Sequence, residues 1–145
     1  MFMGEYTHAI DAKGRVILPA DFRAELGVSF VITKGLDRCL FLYAQTEWDV
    51  LAEKLRKLPL VKPEARALSR FFFASARTLE CDKQGRFLVP ANLRNYAGIA
   101  LRQDVVLTGT DSRIEVWSRD VWMQYTDEVE PDVTAIAATL TDLGI

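Results

Sequence analysis

A chain of 145 residues, half of them apolar, is long enough to bury one ordinary core and too hydrophobic to stay disordered. Its 18 basic and 20 acidic residues, a formal charge of −2, exclude a uniformly basic surface, so contact with nucleic acid must rest on local clusters. No apolar run approaches the roughly 18 residues of a membrane span. The start Met1-Phe-Met-Gly-Glu5 lacks the basic stretch and apolar run of a secretory signal, so a cytoplasmic protein is expected.

Strands are predicted at Tyr6–Ile10 and, past an Asp-x-x-Gly turn, at Arg15–Leu18. Together they read as a short hairpin with Gly14 at positive φ. Pro19 cannot donate to a ladder and suits the first turn of a helix, Ala20–Leu26, which stops at Gly27. Strands around Phe30–Thr33 and Cys39–Tyr43 follow, joined by a turn rich in Gly and Asp. Thr46-Glu-Trp-Asp opens a helix with an acidic first turn, and Trp48, Leu51, Leu55 and Leu58 recur at helical spacing. A further helix begins after Pro63 and ends in the bulky run Phe71–Phe73. The order then returns: strands Arg77–Cys81 and Arg86–Val89, helix Ala91–Ala97 ending at Gly98, strands Asp104–Leu107 and Arg113–Trp117. Helix Ser118–Val129 completes it, with Trp122 and Tyr125 on the apolar stripe. Beyond Pro131 the chain is small and mildly apolar, a weakly packed or mobile tail.

The recurrence is visible letter by letter. Asp11-Ala-Lys-Gly-Arg-Val-Ile-Leu-Pro-Ala-Asp-Phe-Arg23 comes back as Asp82-Lys-Gln-Gly-Arg-Phe-Leu-Val-Pro-Ala-Asn-Leu-Arg94. Outside any low-complexity run, such a match means one structural unit used twice. It divides the chain into a first repeat at 5–57, a linker and helix at 58–75, a second repeat at 76–127 and a tail at 128–145. Each repeat is too small to hold a good core alone. Their strands are therefore expected to interleave into a single pseudo-symmetric α+β domain with one shared core.

The chemistry of the repeat lies in its turn. Asp11 and Asp82 can accept hydrogen bonds from turn amides, and Gly14 and Gly85 supply the left-handed backbone. Arg15 and Arg86, one residue further on, have two fates open to them. Each can reach back to its Asp and lock the turn, or point outward as a donor for a phosphate or a guanine edge. The neighbouring cations favour a surface role: Lys13, Arg15 and Arg23 in one repeat, Lys83, Arg86 and Arg94 in the other. All six are candidate DNA-binding residues, with Asp11, Gly14, Asp82 and Gly85 bracing the motif; β-ribbons do enter the major groove.

Strand, Asp-x-x-Gly-Arg, three apolar residues, Pro and a short helix ending in Arg resemble the swapped-hairpin barrel of AbrB-type regulators and MazE-type antitoxins. Two such units in one chain are similar to the MraZ family. So are the start Met-Phe-x-Gly, the paired Asp11/Arg15 and Asp82/Arg86, and the stretches around Leu42, Tyr43, Glu47 and Trp48 and at Glu115-Val-Trp117. The resemblance implies tandem β-hairpin–helix repeats forming a small β-barrel with flanking helices. It further implies a bacterial, nucleoid-associated repressor of the division and cell-wall gene cluster, assembled into a homo-oligomeric ring on double-stranded promoter repeats. Family members carry a basic residue third from the start, where this chain has Met3.

Other chemistries find little to build on. His8 is the single histidine and is predicted on a strand, too little for a nucleophile–base pair or a Cys/His metal site. Gly14 and Gly85 belong to no dinucleotide-binding or P-loop pattern. No catalytic residue, metal, cofactor or small-molecule substrate is expected, and Cys39 and Cys81 read as buried free thiols. The alternative is an antitoxin-like protein-interaction module in which the motif is only a structural clamp and the acidic tail (Asp127, Glu128, Glu130, Asp132) holds the partner.

Overall fold

The doubled sequence folds into a doubled set of elements. In the computed structural model, which describes residues 1–140 and Gly144, the first half runs β1 (Glu5–Ala9), β2 (Arg15–Ile17), α1 (Ala20–Leu26), β3 (Ser29–Lys34), β4 (Leu40–Ala44) and α2 (Gln45–Arg56). Helix α3 (Pro63–Ser75) leads into the second half, β5 (Arg77–Glu80), β6 (Arg86–Leu88), α4 (Ala91–Ala97), β7 (Asp104–Thr110), β8 (Arg113–Ser118) and α5 (Arg119–Val129). A 3₁₀ turn, Glu130–Asp132, and α6 (Val133–Thr139) follow. Among the described residues no helix is long and apolar enough to cross a membrane.

The short helices α1 and α4 show how the sequence sets these boundaries. Pro19 and Pro90 sit at the N-cap with φ of −52° and −56°, close to the value their rings impose. Phe22 and Leu26, and Leu93 and Ala97, lie four residues apart and are buried. Gly27 and Gly98 then end the helices at φ of 89° and 68°.

Six strands form one antiparallel sheet in the order β1-β7-β8-β4-β3-β5. The two halves contribute to each other's ladders: β1 pairs with β7 of the other half, β5 with β3, and β4 with β8 at the centre. Strands β2 and β6 make a separate two-stranded ribbon with Val16 opposite Phe87.

Two expectations are corrected here. The predicted hairpins do not form, because β1 and β2 enter different sheets, as do β5 and β6. Each turn is closed by a backbone bond from the Asp amide to the Arg carbonyl, 2.9 Å in the first half and 2.8 Å in the second, and the strands then part. Nor is there a closed barrel. Strands β1 and β5 lie at opposite ends of the sheet, and the ribbon, three residues per strand, is too short to bridge them.

The ribbon instead caps one face of the sheet. Val16, Leu18, Phe87 and Val89 join Phe30, Ile32, Leu40, Leu42, Val105, Leu107, Ile114 and Val116 in one cluster, closed off by Phe22, Leu26 and Leu93 of α1 and α4. Burial of each such side chain contributes roughly 1.5–3 kcal/mol. The alternate residues Phe41, Tyr43, Val106 and Trp117 point to the other face. There they meet Leu55, Phe72, Trp48 and Trp122 from α2, α3 and α5.

The N-terminal residues cross β7 at Gly109, where a Cβ would overlap the amide nitrogen of Met3. This close passage lets Phe2 bury its ring edge-on against Phe22, 5.7 Å between centroids. Met3 itself is exposed. Cys39 is buried and donates to the Leu36 carbonyl, whereas Cys81, expected to be buried, is only half-buried; both are free thiols. The tail forms the helix α6, whose Val133 and Ile136 remain exposed.

Candidate nucleic-acid interface

Each Asp-x-x-Gly-Arg segment forms a tightly hydrogen-bonded turn. Oδ1 of Asp11 accepts the amides of Lys13 and Arg15, both at 2.9 Å, and Oδ2 accepts Nε of Arg15 at 2.7 Å. In the second repeat Asp82 Oδ1 accepts the amides of Gln84 and Arg86 at 2.9 Å, and Oδ2 accepts Arg86 Nε at 2.8 Å. The amides of Gly14 and Gly85 close the turns onto the Asp carbonyls at 3.1 and 3.0 Å. Both glycines have positive φ, 86° and 77°, where other residues are strained.

The charge state follows from these contacts. Hydrogen bonds from the Arg15 amide and guanidinium and the Lys13 amide hold Asp11 down to about 2, despite some opposing desolvation. The matching bonds from Arg86 and Gln84 lower Asp82 in the same direction. Both carboxylates are therefore ionised at neutral pH, and each keeps its arginine partner.

The aspartate engages only Nε. The terminal nitrogens of Arg15 and Arg86 make no hydrogen bond among the described residues, and both side chains retain solvent access. Arg113 is a contrasting cation: Glu115 takes its Nε and Nη2 at 3.0 and 2.8 Å, and its guanidinium lies 4.4 Å from the Phe41 ring centre. Lys13 and Lys83 are exposed on their turns and form no ion pair among the described residues.

Spatial grouping of the remaining arginines differs from their grouping in sequence. Arg23, on α1 of the first repeat, lies over the second repeat's turn, where a Cβ at Gly85 would overlap its Nη1. Arg94, on α4 of the second repeat, packs on the first turn, its Nε 3.3 Å from a Cβ built on Gly14, and donates to the Val89 carbonyl at 3.4 Å. The backbone crosses over in the same way: Gly14 accepts the Val89 amide at 2.8 Å, and Gly85 accepts the Leu18 amide at 2.9 Å. Thus Lys13, Arg15 and Arg94 form one cluster, and Lys83, Arg86 and Arg23 the other.

Sequence reasoning also passed over the outward face of the ribbon. Ile17 and Leu88 lie in runs that read as uniformly apolar, yet only Val16 and Phe87 at the centres of these strands point into the core. Uniformly apolar runs hide the period-2 alternation of a strand, so the sequence carried no signal for this face.

Comparison with known proteins agrees with this doubled architecture. The family model described as "MraZ protein, putative antitoxin-like" matches twice, over residues 1–71 and 72–144. The chain is 56% identical to the transcriptional regulator MraZ of Desulfitobacterium hafniense (strain DSM 10664 / DCB-2) over 145 residues, all of both chains. It is 53% identical to that of Thermoanaerobacter sp. (strain X514) and 51% identical to that of Clostridium tetani (strain Massachusetts / E88), again over the full length of both. These relatives bear the name of a transcriptional regulator and not of an enzyme, and the chain belongs to the MraZ family.

Proposed function

We propose that the protein is a sequence-specific DNA-binding transcriptional regulator. In this reading it represses the bacterial division and cell-wall gene cluster from the nucleoid, presenting two Asp-x-x-x-Arg turns per subunit to promoter repeats on a ring of subunits. The carrying observation is how the arginines are held: Asp11 and Asp82 take Nε, and both terminal nitrogens of Arg15 and Arg86 have no hydrogen-bond partner among the described residues. Two parallel donors on a fixed plane match a phosphate or the O6/N7 edge of guanine. Lys13, Arg23, Lys83 and Arg94 add phosphate contacts around each turn.

The halves 5–57 and 76–127 are then interleaved repeats of the AbrB and MazE kind, with 58–75 joining them and 128–145 as a tail. Pairing of β1 with β7 and of β5 with β3 supports this reading.

The test is a gel shift with the DNA upstream of the protein's own operon. Arg15→Ala combined with Arg86→Ala is expected to abolish binding with the far-UV spectrum and assembly size unchanged. Unfolding or disassembly of that variant would mean that the motif is only a clamp. If the protein is instead an antitoxin-like module, the same variant still captures its protein partner, and truncation after Glu130 loses it.

A further inference from the structure

The antiparallel register of the ribbon puts Arg15 opposite Leu88 and Ile17 opposite Arg86. Side chains alternate along a strand, so these four share one face while Val16 and Phe87 fill the core behind them. That face is open: Ile17 is 45% exposed and Leu88 52%.

A single exposed aliphatic residue needs no explanation. Here two stand at the same position of both repeats, each directly across from the other repeat's motif arginine. Leu88 also leans on the first turn, its Cδ1 3.6 Å from a Cβ built on Gly14. The pair therefore sits within a strip whose cations are Lys13, Arg15 and Arg94 at one end and Lys83, Arg86 and Arg23 at the other, outnumbering the two turn carboxylates, Asp11 and Asp82, that brace Arg15 and Arg86. The complement of such a strip is an anionic surface that carries methyl groups. The major groove of duplex DNA provides both: phosphates and guanine edges for the arginines, and the thymine C5-methyl for an aliphatic side chain. A two-stranded ribbon also fits that groove.

Resting on the DNA-binding reading above, we propose that Ile17 and Leu88 are specificity-determining residues that pack against thymine C5-methyl groups. Ile17 reads the base beside the contact made by Arg86, and Leu88 the base beside that of Arg15. Each reading unit is thus shared, with its arginine from one repeat and its aliphatic residue from the other.

The experiment uses the DNA upstream of the protein's own operon, prepared with thymine or with uracil throughout, which differ only in the C5-methyl group. At roughly fourfold per lost methyl contact, two contacts lead the unaltered protein to bind the thymine duplex about fifteenfold more tightly than the uracil duplex. I17A/L88A should bind both equally, near the unaltered protein's affinity for uracil DNA. I17V/L88V, which keeps a branched aliphatic on each strand, should keep part of the preference. Equal binding of both duplexes by the unaltered protein, or an undiminished preference in I17A/L88A, overturns the assignment and leaves DNA binding standing. If the unaltered protein does not distinguish the thymine duplex from unrelated DNA, the DNA reading itself falls and the assignment falls with it.

Discussion

The amide of Val89 donates to the carbonyl of Gly14 at 2.8 Å, across the boundary between the two repeats. Leu18 donates to Gly85 in the same way at 2.9 Å, so each motif glycine both shapes its own turn and holds the other repeat's strand. Substitution there acts on two repeats at once. Gly14→Ala and Gly85→Ala each place a Cβ at positive φ, a strain of about 1–2 kcal/mol. Gly85→Ala must also push the Arg23 guanidinium aside, which a flexible side chain can do. Both variants should melt several degrees below the unaltered protein in a thermal scan. An unchanged midpoint for either would contradict the turn geometry.

The crossing of the arginines makes a second prediction. In double-mutant cycles of DNA affinity, Arg23→Ala should couple to Arg86→Ala, and Arg94→Ala to Arg15→Ala, by more than 0.5 kcal/mol. The within-repeat pairs, Arg23 with Arg15 and Arg94 with Arg86, should be close to additive. The opposite pattern would show that the cations act by repeat and not by cluster.

Acid should loosen the turns within a definite window. The folded pKa of Asp11, about 2, lies below the ordinary 3.8, so its contribution is fully present above pH 3.8 and lost as pH falls toward 2. Asp82 is shifted in the same direction. Chemical denaturation between pH 5 and 2 should show stability falling most steeply below about pH 4. Asp11→Asn with Asp82→Asn keeps an acceptor for the turn amides but loses the ion pair. This variant should be less stable at pH 7 and lose less on acidification.

The passage of the N-terminus over Gly109 is also open to test. Phe2→Ala removes a buried ring and should cost about 3 kcal/mol or more. Gly109→Ala displaces the backbone of Phe2 and Met3 and should reach a similar loss by undocking the same residues. Because both act through one contact, the double variant should be little worse than the more severe single one in urea titrations.

Much of the local structure was legible because local chemistry determines it. Pro19, Gly27, Pro90 and Gly98 punctuate α1 and α4, and those helices occupy the predicted residues. The motif turns follow in the same way from Asp, Gly and Arg at fixed spacing. Strand partnership was not legible. Val16 and Ile10 are buried whether β1 pairs with β2 or with β7, so the apolar pattern does not discriminate between a hairpin and the observed ladders. The same blindness hid the crossing of Arg23 and Arg94, which depends on where β2 and β6 meet. Outward exposure of Ile17 was masked because three apolar residues in a row carry no visible alternation.

An open sheet leaves two rows of backbone groups without strand partners, the usual starting point of edge-to-edge aggregation. Here those outer strands are β1 and β5. They are short, at five and four residues, and expose Glu5 on one edge and Arg77 and Glu80 on the other. A foreign strand docking on either edge would have to desolvate these charges for only a few hydrogen bonds. The fold can therefore do without a closed barrel and still resist fibrous self-association at its two ends.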